Sequence, residues 1–118
     1  MQSFDTKNQD PKRENSARQR LSLGRVEDFP LGSCKTVELP EGLELGIYNV
    51  DGEFHAIGNF CPHKGAPLTE GALCGHIIEC GLHGWQFDVR TGECLTVNDK
   101  VERYEVVVED GIVKVVIH

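Results

Sequence analysis

Apolar and polar residues alternate along much of the chain after residue 20. "CKTVEL" and "LELGIYNV" both do so, and "EFHAIG" follows. A period of two places successive side chains on opposite faces of a strand. Asp51-Gly52 stands before the third run, and Asp110-Gly111 separates "YEVVVE" from "IVKVVIH". An Asp-Gly pair between strand-like runs predicts a type I′ hairpin, because glycine accepts the positive φ of that turn. "HIIEC" predicts a further short strand, and "QFDV" leads to a turn at Arg90-Thr91-Gly92. No segment shows a helical period. The pattern predicts an all-β fold, a sandwich or barrel of short antiparallel strands.

Residues 1–20 break this texture. They are polar and aperiodic, and predict a disordered tail ahead of one domain at 21–118. A chain of 118 residues suits one domain with a modest core. No apolar run approaches the roughly 18 residues of a membrane helix. The N-terminal stretch has no hydrophobic segment of a secretory signal, so the expected location is cytoplasmic.

Charge is uneven. The formal net is -7. Residues 1–20 hold five Lys/Arg against three Asp/Glu, and residues 21–118 hold seven against sixteen. A body this acidic argues against nucleic acid or an anionic membrane as partner. It suits docking on a basic patch of another protein, or solubility alone.

The chemistry lies in two loops, about residues 60–88. "CPHKGAPLTEG" pairs Cys61 with His63, and "ECGLHGW" pairs Cys80 with His83. Sixteen residues separate the pairs, and there is no internal repeat beyond these two loops. Thiolate and imidazole together bind zinc or iron. Residues two apart in an extended segment share a face, so Cys61 and His63 can bind together across Pro62. Cys80 and His83 need a turn, which Gly81 and Gly84 permit. Zinc patterns usually put two or more residues between paired ligands, and the first pair has one. A structural zinc module with two Cys and two His ligands stays an alternative.

Cys-x-His, sixteen residues, then Cys-x-x-His resembles the Rieske [2Fe–2S] family, and "CPHKGAPL" and "CGLHGWQFD" look like its two cluster loops. The likeness covers about residues 25–117. It implies an antiparallel β-sandwich with a two-loop cluster-binding subdomain and one [2Fe–2S] cluster. Cys61 and Cys80 would hold one iron, and His63 and His83 the other. It further implies that the histidines bind through Nδ1, with Nε2 near the surface. With two neutral imidazoles the oxidised cluster is neutral, and the reduced cluster carries one negative charge. Four thiolates would make both states more negative, so the histidines raise the potential.

High-potential members of the family carry a disulfide between the loops, at positions that fall here on Ala66 and Leu82. They also carry two hydroxyl side chains near the cluster, where this chain has Trp85 and Phe87. Their absence places the resemblance in the low-potential branch. The implied role is a ferredoxin taking one electron at a time from a flavin reductase to a terminal oxygenase or similar acceptor. The small subunit of an assimilatory NAD(P)H nitrite reductase is the alternative within the branch. The sequence shows no nucleophile or general base, so catalysis by this chain alone is not expected. Cys34, Cys74 and Cys94 read as small buried residues. A Cys74–Cys94 disulfide lacks support from spacing. His55 and His76 read as ordinary strand residues, while Lys64 and His118 read as solvated.

Overall fold

The computed structural model describes residues 19–62, 65–81 and 84–117. Among these, nine strands form two antiparallel sheets, with no α-helix. The strands are β1 (Gln19–Arg25), β2 (Cys34–Glu38), β3 (Glu44–Val50), β4 (Glu53–Gly58), β5 (Ala72–Cys74), β6 (Ile77–Glu79), β7 (Gln86–Asp88), β8 (Arg103–Glu109) and β9 (Ile112–Ile117). The larger sheet has the order β1-β9-β8-β4-β3-β2, and the smaller has the order β5-β6-β7. Short 3₁₀ turns lie at Val26–Asp28, Pro40–Gly42 and Leu68–Glu70. No helix among the described residues is long and apolar enough to cross a membrane.

Both Asp-Gly hairpins form as the sequence predicts. Asp51 and Gly52 take φ of 54° and 92°, and Asp110 and Gly111 take 54° and 76°. Positive φ at both central positions defines the type I′ turn. The turns set the registers Val50↔Glu53 and Glu109↔Ile112.

One difference from the sequence reading has a physical cause. Strand β1 begins at Gln19, so it takes in Gln19 and Arg20, which polarity had assigned to the tail. Both side chains are exposed on an edge strand, and antiparallel pairing with β9 orders their backbone without apolar burial. Strand β3 is covered on both faces. Leu45 to Val50 are all buried. Leu45 and Ile47 face one core with Phe29, Ala56, Val113 and Val115, which the larger sheet wraps. Tyr48 and Val50 face a second core, shared with the smaller sheet and the loops that follow β4 and β6.

Candidate metal centre

The second core carries the chemistry. Cys61 and Cys80 lie in it at 1% exposure each, beside the fully buried Leu68, Ile78, Phe87 and Val89. Cys61 follows β4 by three residues, and Cys80 follows β6 directly. Each cysteine opens a six-residue loop of the same design. The Cys61 N–H donates to the Ala66 carbonyl at 2.8 Å, and the Gly65 N–H donates back to the Cys61 carbonyl at 2.6 Å. In the second loop the Cys80 N–H donates to the Trp85 carbonyl at 2.7 Å, and the Gly84 N–H to the Cys80 carbonyl at 3.0 Å.

The fifth residue of each loop must be left-handed for the chain to turn back. Gly65 and Gly84 supply this with φ of 71° and 70°, a conformation that costs other residues about 1 kcal/mol or more. The loops therefore match on Cys and Gly, nineteen positions apart, and not on Cys and His. Aligning "CPHKGA" with "CGLHGW" on those two residues is the sequence signal that exposes the shared frame. His63, Lys64, Leu82 and His83 lie outside the described residues, as does His118.

Asn59, two residues before Cys61, is a site residue that sequence reasoning missed. It is 1% exposed and bonded on every side. Its Nδ2 donates to Glu44 Oε2 at 2.8 Å and to Thr36 Oγ1 at 3.2 Å, and its Oδ1 accepts the Thr69 N–H at 3.1 Å. The Leu68 N–H donates to the Asn59 carbonyl at 2.6 Å. The 3₁₀ turn behind the first loop is thus pinned to β2 and β3. Gly71 closes the other side: a Cβ there would sit 1.9 Å from the carbonyl oxygen of Glu79, the residue before Cys80.

Cys34, Cys74 and Cys94 form no disulfide. Cys34 and Cys94 are half-buried against the second core, and burial pushes the Cys34 thiol up. Cys74 is exposed at the end of β5, against the expectation that it is buried. No disulfide joins it to Cys94. Cys94 bridges to Phe87 of β7, so β6 and β7 stand between the two. Three strand spacings of about 4.8 Å exceed the roughly 7 Å limit on the Cα separation of a disulfide. Ala66 and Trp85 are partly buried against the core, and Phe87 is wholly within it.

An all-β domain that sets two cysteines at equivalent corners of one apolar core, each opening a loop with the same backbone bonds, has the layout of a small metal-cluster protein. A thiolate buried among apolar side chains is costly unless a metal takes up its charge, so the two thiols suit an iron–sulfur group. The chain matches the family model of the Rieske [2Fe-2S] domain over residues 19–113. It is 37% identical over 95 residues to the 3-phenylpropionate/cinnamic acid dioxygenase ferredoxin subunit of Photorhabdus laumondii, covering 78% of this chain and 89% of that protein. The solved structure of the Sphingomonas yanoikuyae B1 ferredoxin superposes with a TM-score of 0.76 at 36% identity, covering 82% and 97% of the two chains. A chain from Mycobacterium tuberculosis assigned as an NADH-dependent nitrite reductase small subunit shares the fold, with a TM-score of 0.77 at 22% identity over 84% and 95%. The protein belongs to the Rieske [2Fe–2S] family, and its cofactor is a [2Fe–2S] cluster.

Proposed function

We propose that this protein is the ferredoxin component of a dioxygenase-type system, taking single electrons from a flavin reductase to a terminal oxygenase. The observation that carries this is the pair of matched loops placing Cys61 and Cys80 in one apolar core. The [2Fe–2S] cluster supplies reversible one-electron chemistry when bound. We assign Cys61 and Cys80 to one iron and His63 and His83 to the other, by the Cys-x-His and Cys-x-x-His order of the loops. The protein's own part is to hold the thiols, to exclude water with Leu68, Ile78 and Phe87, and to fix the loops through Asn59 and the two glycines.

The role of carrier is favoured over nitrite reductase small subunit because the dioxygenase ferredoxin subunit of Photorhabdus laumondii and the Sphingomonas yanoikuyae ferredoxin, each covered over most of its length, share more than a third of the aligned residues with this chain. The nitrite reductase chain shares the fold at lower identity. A zinc module in place of the cluster is disfavoured by the family match. A cytoplasmic location suits a chain in which Cys34, Cys74 and Cys94 form no disulfide. Reduction of a dioxygenase terminal oxygenase, followed by stopped flow, tests the role. Transfer should slow as salt rises, because about 0.15 M salt screens exposed charge beyond about 8 Å. Reversal of the exposed Glu70 should slow it more than reversal of Asp5. Rates indifferent to salt and to Glu70→Lys would limit the acidic surface to solubility.

The potential should fall toward the lower end of the Rieske range of about -150 to +300 mV. Trp85 and Phe87 bring no hydroxyl to the cluster's surroundings, and fewer hydrogen bonds to sulfur leave the reduced state less stabilised. Phe87 is fully buried, so the hydroxyl of Phe87→Tyr enters the core that holds both cysteines and should raise the potential. A wild-type midpoint above about +200 mV on that scale contradicts the low-potential assignment.

A further inference from the structure

Away from the cluster loops, Glu53, His55 and His76 bring three ligand atoms together within 4.8 Å of one another. No other such group of three or more occurs among the described residues. Glu53 and His55 are two apart at the start of β4, so their side chains share a face. His76 does not open a strand, as the sequence suggested. It sits in the turn between β5 and β6, where its carbonyl accepts the Val89 N–H at 2.8 Å. The group therefore joins the two sheets. On β4 it lies six residues before Cys61, and on the smaller sheet four residues before Cys80.

The two imidazoles aim the same atom at the same target. His55 Nε2 lies 3.4 Å from Glu53 Oε1, and His76 Nε2 lies 3.6 Å from it. Neither contact reaches the 2.7–3.2 Å of an N–H···O hydrogen bond. Both Nε2 atoms are closed to water and lack a hydrogen-bond partner. The rings stand edge to face, with centroids 5.5 Å apart. Burial pushes His55 below its ordinary pKa, with the Glu53 carboxylate opposing, and so favours the neutral ring that a metal requires.

Two buried imidazole nitrogens facing one carboxylate oxygen at 3.4 and 3.6 Å are loosely paired as hydrogen bonds but well spaced as metal donors. Tetrahedral Zn²⁺ with nitrogen and oxygen ligands at about 2.0–2.1 Å needs donor atoms about 3.3–3.4 Å apart. The two His–Glu edges already stand at 3.4 and 3.6 Å. The two neighbouring cations, which act electrostatically on His55 and Glu53, are hydrogen-bonded elsewhere. Arg90 is spent on Asp88, at 2.8 and 3.0 Å. Arg103 donates to the Arg90 carbonyl at 3.0 Å.

We propose that Glu53, His55 and His76 form a second metal site, binding one divalent late-transition ion of the Zn²⁺ class and clamping the smaller sheet to β4. The set of two histidines and one carboxylate leaves a fourth position for water. The site is independent of the cluster and of the electron-carrier role.

The test uses the holoprotein. It is dialysed against Zn²⁺ at tens of micromolar and then metal-free buffer, and zinc and iron are counted by elemental analysis. The expected result is one zinc per chain with the iron content unchanged. With Zn²⁺ at about a hundredfold over Kd, Tm should rise by about 10 °C or more. His76→Gln and Glu53→Gln both alter partly exposed side chains and should keep the iron. Each should weaken zinc binding by more than the about 10–100-fold that loss of an outer partner costs, and abolish the Tm rise. Failure to bind zinc overturns the proposal. So does zinc that persists in both variants, or zinc gained only as iron is lost.

Discussion

Cys61→Ser and Cys80→Ser should each give a colourless protein whose iron falls from two per chain to near zero. Both thiols lie at 1% exposure at the opening of a loop whose backbone bonds start and end on that residue. Serine keeps the size and the loop bonds but removes the thiolate, the soft and already deprotonated donor that iron–sulfur groups require. Cys74→Ser is the control, because that thiol is exposed on β5 and should keep visible absorption and iron. His83→Cys makes the complementary change. An added thiolate makes the cluster more negative, so either the potential falls or the cluster is lost. Absorption that survives Cys80→Ser, or vanishes in Cys74→Ser, would mean that the ligand assignment is wrong.

The same variants probe how the two cores divide the fold. The core of Phe29, Leu45, Ile47, Ala56, Val113 and Val115 contains no cysteine. Loss of the cluster should loosen the small sheet and its loops while leaving this core assembled. The circular dichroism of the variants should retain most of its β signal as the visible spectrum disappears. A wholly unfolded Cys80→Ser protein would show instead that the larger sheet depends on the cluster.

Legibility in the sequence follows the range of the interactions. The Asp51-Gly52 and Asp110-Gly111 hairpins were readable because the deciding physics is local: two residues must take positive φ. Cys61 and Cys80 could be singled out as candidates because cysteine beside histidine has few roles in loops of this kind, and the structure sets both in one core. The long-range pairings were not. That β1 closes against β9, or that β4 meets β8, is settled by burial across the domain and not by any short pattern. The same holds for β3. Its alternation is real, yet both faces are covered because a second core lies beneath the cluster loops. Cys74 looked like a core residue by type, but register places it on the open face at the end of β5. His55 and His76 looked unremarkable because twenty residues separate them, and only the docking of the β5–β6 turn on β4 brings their rings together.

Asn59 is the other missed residue, and Asn59→Ala should be strongly destabilising. The change removes the bonds to Glu44 and Thr36 and strands the Thr69 N–H. One of the lost bonds is to a carboxylate, worth about 1.5–3 kcal/mol, and groups left unsatisfied away from water add to the loss. Together these suggest about 3 kcal/mol, or a Tm lower by about 10–20 °C for a domain of this size. The damage should extend to the metal centre. Asn59 holds Thr69 through its side chain and Leu68 through its carbonyl, and Cys61 lies only two residues further on. Visible absorption should therefore bleach faster in air than in the wild type. Glu44→Gln separates the causes, because its amide oxygen still accepts from Asn59 Nδ2 and only the charge is gone. It should cost about 1 kcal/mol or less and leave the bleaching rate near that of the wild type. Equal Tm values for Asn59→Ala and Glu44→Gln, with equal bleaching, would remove Asn59 from the support of the first loop. Anchoring would then rest on the backbone bond from Leu68 to the residue-59 carbonyl, which alanine preserves.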